Sequence, residues 1–126
     1  MDSVSARPGS RGRSSLTVAV EDTAAHLGSG DVAVLATPRV LALAEQAAVR
    51  AIDGALAVEL TSVGARAEID HTRPTFVGGH VEAEAVLIGV HSRRLEFSVS
   101  VTDADGEEVA TVRHTRAIVE RARFEG

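Results

Sequence analysis

Thr37-Pro38-Arg39-Val40-Leu41-Ala42-Leu43-Ala44-Glu45-Gln46-Ala47-Ala48-Val49-Arg50-Ala51-Ile52 decides how this chain folds. As a helix it advances about 100° per residue. Leu41, Ala44, Ala48 and Ile52 then share one face, with Glu45 between them. Gln46, Arg50 and Asp53 lie opposite, where charge belongs. Thr37 suits the N-cap, Pro38 the first helical position, and Gly54 the C-terminal cap after Asp53. A carboxylate on an apolar stripe costs roughly 1–3 kcal/mol even when partly compensated. Glu45 therefore calls for either a partner charge or a reaction.

The segments after the helix alternate with the period of strands. In Ser62–His71, Val63, Ala65, Ala67 and Ile69 point one way and Arg66, Glu68 and Asp70 the other. His71 falls in phase with the apolar side. Packed on the helix, that side brings His71 into the layer of Glu45, with Thr37 nearby. His80–Val90 sets Val81, Ala83, Ala85 and Leu87 on one face, and Leu95–Val101 alternates likewise. Asp103-Ala104-Asp105-Gly106 is a hairpin turn leading into a return strand over Val109–Val119. Arg73-Pro74 and Val77-Gly78-Gly79 are breakers.

Before the helix, Leu16–Val20 reads as a short strand and Thr23–Asp31 as a loop. Met1–Ser15, rich in Ser, Gly and Arg, reads as a disordered tail. One helix and several one-sided strands specify an α+β domain over residues 16–126, a curved antiparallel sheet wrapped around a central helix. Its open sheet edge, and strand positions such as Val86 and Ile88, call for at least a dimer.

Composition narrows the function. The 126 residues suffice for one core. Net charge is -5 and only three residues are aromatic, all Phe, which argues against a nucleic-acid surface. No apolar run approaches a membrane span, the N-terminus lacks a signal-peptide core, and there is no Cys, so a cytoplasmic protein is expected. Every basic residue is Arg, which removes Schiff-base chemistry through Lys. His26, His80 and His91 have no metal-ligand spacing; neither metal nor cofactor is expected.

In order along the chain, several short motifs resemble the fluoroacetyl-CoA-type thioesterases of the hotdog fold. The helix entry Val34-Leu35-Ala36-Thr37-Pro38 with Leu43-Ala44-Glu45 is similar to the family's A-T-P…M-E signature. Ser62-Val63-Gly64 with Ile69-Asp70-His71 is similar to its T-V-G…H strand. Val77-Gly78, Arg93–Phe97 and His114-Thr115-Arg116 match its later segments. Ala44 stands where Met is usual, Ser62 where Thr is, and Val112 where Gly is. The resemblance implies catalytic positions at Thr37, Glu45 and His71 and a pocket-lining backbone at Gly64. The substrate it implies is an acyl-CoA thioester, with sites at the interface of a homodimer or dimer of dimers.

Each residue also has a plainer explanation. Glu45 could be in a structural ion pair, His71 a hydrogen-bonded core histidine, Thr37 a helix cap, and Gly64 a bulge glycine. His114 and Arg116 share one strand face and either bind an anion of the substrate or face solvent. A hydratase is disfavoured, because its Asp-x-Asn-Pro signature needs Asn and this chain has none. The remaining rival is a non-catalytic acyl-CoA or small-ligand binding protein on the same fold.

Overall fold

The computed structural model describes residues 3–125. Strand β1 (Arg11–Thr17) leads through a turn to the short helix α1 (Ala24–Leu27) and then to α2 (Thr37–Ala51). Strands β2 (Leu60–His71), β3 (His80–His91), β4 (Arg94–Asp103) and β5 (Glu108–Glu120) follow. All pairings are antiparallel, in the order β1-β3-β4-β5-β2. The sheet curls around α2, the hotdog architecture. No helix among the described residues is long and apolar enough to cross a membrane.

The core lies between α2 and the concave sheet face. Val40, Leu43, Ala44, Ala47, Ala48 and Ala51 are buried on the helix. They meet Val81, Ala83, Ala85 and Leu87 of β3 and Leu95, Phe97, Val99 and Val101 of β4, the positions that strand alternation selects. The helix is rotated from the expected stripe, so Glu45 lies on its flank with a side chain still 38% exposed. Its desolvation cost is correspondingly smaller than a central position would impose.

The chain before Leu16 departs from the expected tail. Arg11–Ser15 belongs to β1, while Met1 and Asp2 lie outside the described residues. Upstream, the Ser5 amide donates to the Ala55 carbonyl, and Val4 and Ala6 pack against the core. The strand was hidden because its inward positions are small. A Cβ at Gly12 would overlap the Ala47 carbonyl oxygen and the Ala51 amide nitrogen. Ser14, buried, donates to Gln46 Oε1 of α2 at 2.9 Å. Hydrophobic periodicity cannot register a strand whose inner face is Gly, Ser and Leu.

In β2 the alternation breaks. The register with β5 shifts between Gly64 and Arg66, a bulge with Ala65 as the extra residue. Cross-strand partners share a face. Ser62 opposite Ile118 and Gly64 opposite Arg116 therefore look inward before the bulge. Ala67, Ile69 and His71, opposite His114, Val112 and Ala110, look inward after it. Val63 faces outward, contrary to the unbroken alternation, and His71 keeps its expected phase.

Gly12→Ala is expected to destabilise the fold by about 1–3 kcal/mol or more, because the overlap is with backbone that cannot rotate away. Thermal or urea denaturation would read it. A midpoint equal to that of the native sequence would show that β1 does not lie this close to α2.

Candidate active site

The polar residues gather in two places. At the start of α2, Ala36 occupies the N-cap and offers no side-chain bond. Thr37 is the first helical residue, with Pro38 second, and its hydroxyl is free of capping. It lies 2.8 Å from His71 Nδ1. Arg39 Nε donates to Asp22 Oδ1 at 3.0 Å, and the Ala36 amide to the Asp22 carbonyl at 2.9 Å, which ties the preceding turn to this helix end. Burial lowers the His71 pKa from its ordinary value, and the Arg73 backbone only partly opposes this. The ring is thus neutral near pH 7. One of its nitrogens faces Thr37, while Nε2 is buried with no protein partner among the described residues. A cleft of about 280 Å³ adjoins the pair, bounded by Ala24, Ser29, Val34 and Pro74.

Glu45 lies eight residues beyond Thr37, roughly 12 Å along the helix axis. It opens into a separate groove of about 540 Å³ that includes Ala42, Val49 and Arg50. Its neighbours are sheet residues. Glu45 Oε2 accepts from Arg116 Nη1 at 3.2 Å and lies 3.6 Å from His114 Nε2. A Cβ at Gly64 would come within 2.5 Å of the same oxygen. The glycine leaves the carboxylate its place.

His114 and Arg116 are neither solvent-facing nor free hooks. They are 3% and 7% exposed. His114 Nδ1 lies 2.8 Å from the Arg66 carbonyl, which can only accept, so Nδ1 carries the hydrogen. Nε2 is then an acceptor for Arg116 Nη1 at 3.1 Å. Burial lowers the His114 pKa, with the Arg116 charge adding to the effect, and keeps the ring neutral in this role. Arg116 also donates from Nε to Ser62 Oγ at 2.9 Å and from Nη2 to the Ser62 carbonyl at 3.2 Å. Pattern reading missed Ser62 because continuous alternation points it outward. The Gly in the strand interior was the signal of the bulge that turns it inward.

The structure thus pairs Thr37 with His71 and Glu45 with His114, Arg116 and Gly64. Among the described residues no hydrogen bond or ion pair joins Glu45 to His71, so the expected shared layer does not form within one chain. No group of three or more His, Asp or Glu among those residues is placed to hold a metal ion.

Comparison with known proteins bears on the chemistry. No curated protein sequence matches the chain. Among solved structures, the fluoroacetyl-CoA thioesterase FlK is 31% identical, superposes with a TM-score of 0.85, and covers 94% of this chain and 91% of its own. A mutant of FlK in complex with fluoroacetate and CoA is 30% identical, with a TM-score of 0.86 and coverage of 94% and 99%. A thioesterase superfamily member from Thermus thermophilus, 21% identical, has a TM-score of 0.88 over 95% of this chain and 88% of its own, and shows the fold alone. The family model described as FlK, fluoroacetyl-CoA-specific thioesterase, matches residues 18–122. With fold, motif order and family match in agreement, the chain belongs to the fluoroacetyl-CoA-specific thioesterase family and is a hotdog-fold enzyme of the thioesterase class.

Proposed function

We propose that the protein hydrolyses acyl-CoA thioesters to free acid and CoA as a homodimer, with Glu45 as base or nucleophile assisted by His71 and Thr37. The observation that carries this reading is the Thr37–His71 pair beside a cleft, with a ring nitrogen that no protein group engages among the described residues. It is supported by FlK, a relative whose mutants are solved with fluoroacetate and CoA and with acetyl-CoA. Thioester hydrolysis needs an attacking oxygen, a base and donors for the developing oxyanion. Glu45 supplies the base or the oxygen. His71, neutral and oriented by Thr37, offers Nε2 to the carbonyl oxygen or the leaving sulfur. The Gly64 amide is a further candidate donor.

The wide spacing of Glu45 from His71 in one chain is the reason for invoking a second copy. Strand β2 is a twelve-residue sheet edge, half-buried or exposed beyond Leu60. An antiparallel pairing of this edge with itself would bring the end of β2 that carries His71 alongside the Ser62–Gly64 stretch of the second copy. That places His71 of the partner subunit beside the stretch that backs Glu45. CoA esters are intracellular metabolites, in keeping with a cytoplasmic enzyme.

The acyl group we assign is broader than fluoroacetyl. The segment from Thr23 to Val34 forms α1 and the turn after it, and gives the Thr37–His71 cleft walls of Ala24, Ser29 and Val34 without an aromatic ring. Ala44 does not contribute to this room, since it is fully buried in the core. One methylene in an apolar pocket discriminates by only about 1–3 kcal/mol. The alternative, a binding protein without turnover, draws on the commitment of Glu45 to Arg116.

Three outcomes are expected. Thiol release from fluoroacetyl-, acetyl-, butyryl-, hexanoyl- and phenylacetyl-CoA should show turnover of several esters; binding without release would favour the alternative, and a large preference for fluoroacetyl over acetyl would refute the open-cleft argument. Glu45→Gln should lower kcat by about a hundredfold or more. Its thermal midpoint should fall slightly, because buried Arg116 loses its counter-charge; retained activity would remove Glu45 from the chemistry. Sedimentation equilibrium should give a dimer or larger, and a clean monomer would contradict a shared site.

A further inference from the structure

Resting on the thioesterase reading, we infer that Ser62 is a positioning residue, which fixes the Arg116 guanidinium so that it holds the Glu45 carboxylate in its working orientation. A guanidinium has five N–H groups in a rigid plane and stays charged in proteins. Here Nε and Nη2 both go to Ser62, one to its hydroxyl at 2.9 Å and one to its carbonyl at 3.2 Å. These two bonds define the plane. Nη1 is then directed at Glu45 Oε2, 3.2 Å away, and at His114 Nε2, 3.1 Å away. His114 is locked in turn by its Nδ1 bond to the Arg66 carbonyl and by stacking on Phe97, with ring centroids 6.3 Å apart.

Glu45 is the more exposed member of the pair. Its side chain is 38% exposed, on the flank of α2, and the absence of a Cβ at Gly64 gives Oε2 its place. Arg116, 7% exposed and bonded on three sides, is the rigid member of the pair. A carboxylate that must meet a thioester carbon gains from such a fixed partner, since a misplacement of about 1 Å can cost about a hundredfold in rate. The Ala65 bulge is part of the device. It puts Ser62 and Gly64 on the inner face together with Ala67 and His71, which an unbroken strand cannot do.

Ser62→Ala tests this, with Ser62→Thr as the variant that keeps the hydroxyl. Two readouts are needed. One is kcat and KM on the best ester of the panel. The other is hydrogen exchange at the Arg116 Nε–H, followed by arginine-selective NMR, which requires no substrate. Ser62→Ala should lower kcat about tenfold or more with KM nearly unchanged. Exchange at Nε should quicken, and Ser62→Thr should restore both. Unchanged exchange would show that Ser62 does not hold Arg116. Faster exchange with native kcat would show that the clamp is structural only, as would a loss that follows the thermal midpoint and persists in Ser62→Thr. If the native protein hydrolyses no ester, the thioesterase reading falls and the catalytic part of this inference with it, while exchange still decides whether the clamp exists.

Discussion

The fold depends on how closely α2 approaches the sheet. Alanines at positions 44, 47, 48 and 51 present almost no side chain, and Gly12 presents none at all, so helix backbone and strand β1 backbone come together. Packing of this kind gains dispersion contacts on both sides and excludes water, but it has no slack. The polar bond from Ser14 to Gln46 is tolerated inside it because donor and acceptor satisfy each other. With the helix axis set by this contact, its flank falls beside β2 and β5. Glu45 therefore reaches Arg116 instead of lying in the core.

Much of this was legible in the chain. The helix and the strands β3, β4 and β5 declare themselves through periods of 3.6 and 2, because each has one face against bulky apolar partners. Three features did not. Strand β1 is expected too late, at Leu16–Val20 instead of Arg11–Thr17, because its inward residues upstream of Leu16 are only Gly12 and Ser14. The inner face of β2 was misread because the extra residue at Ala65 reverses the phase upstream, so that Val63 looks outward. Thr37 suits the N-cap by its residue type, but Ala36 holds that place and leaves the Thr37 hydroxyl to His71. In each case tertiary geometry, and not local propensity, decided the outcome.

The candidate site shows the same division. Sequence singles out Glu45 and His71 as polar residues on apolar faces, with Thr37 nearby at the helix start, but their pairing follows from distances that no pattern contains. Thr37 and Glu45 are two helical turns apart, so one strand residue cannot serve both. His71 meets Thr37, while Glu45 meets His114 and Arg116. A histidine on β5 whose ring nitrogens are both engaged cannot shuttle protons freely, whereas Nε2 of His71 has no hydrogen-bond partner among the described residues. The two histidines thus differ in chemical availability, although burial lowers the pKa of both.

The ion pair leaves the Glu45 carboxylate partly exposed. A pair buried on both sides would be inert and costly to desolvate. Here only the cation is buried, and Arg116 is compensated by Ser62 and His114 as well as by Glu45. The carboxylate therefore carries only part of the work of neutralising the guanidinium. Its two oxygens are in different positions, since Oε2 is the one in contact with Arg116 and His114. The groove that it shares with Ala42 and Val49 leaves the carboxylate accessible to a ligand. Holding a charge by one oxygen restrains its orientation without removing its capacity to accept a proton or attack a carbonyl. A protein that must keep a flexible glutamate on target has this arrangement available at the cost of one bulge and one glycine in its edge strand.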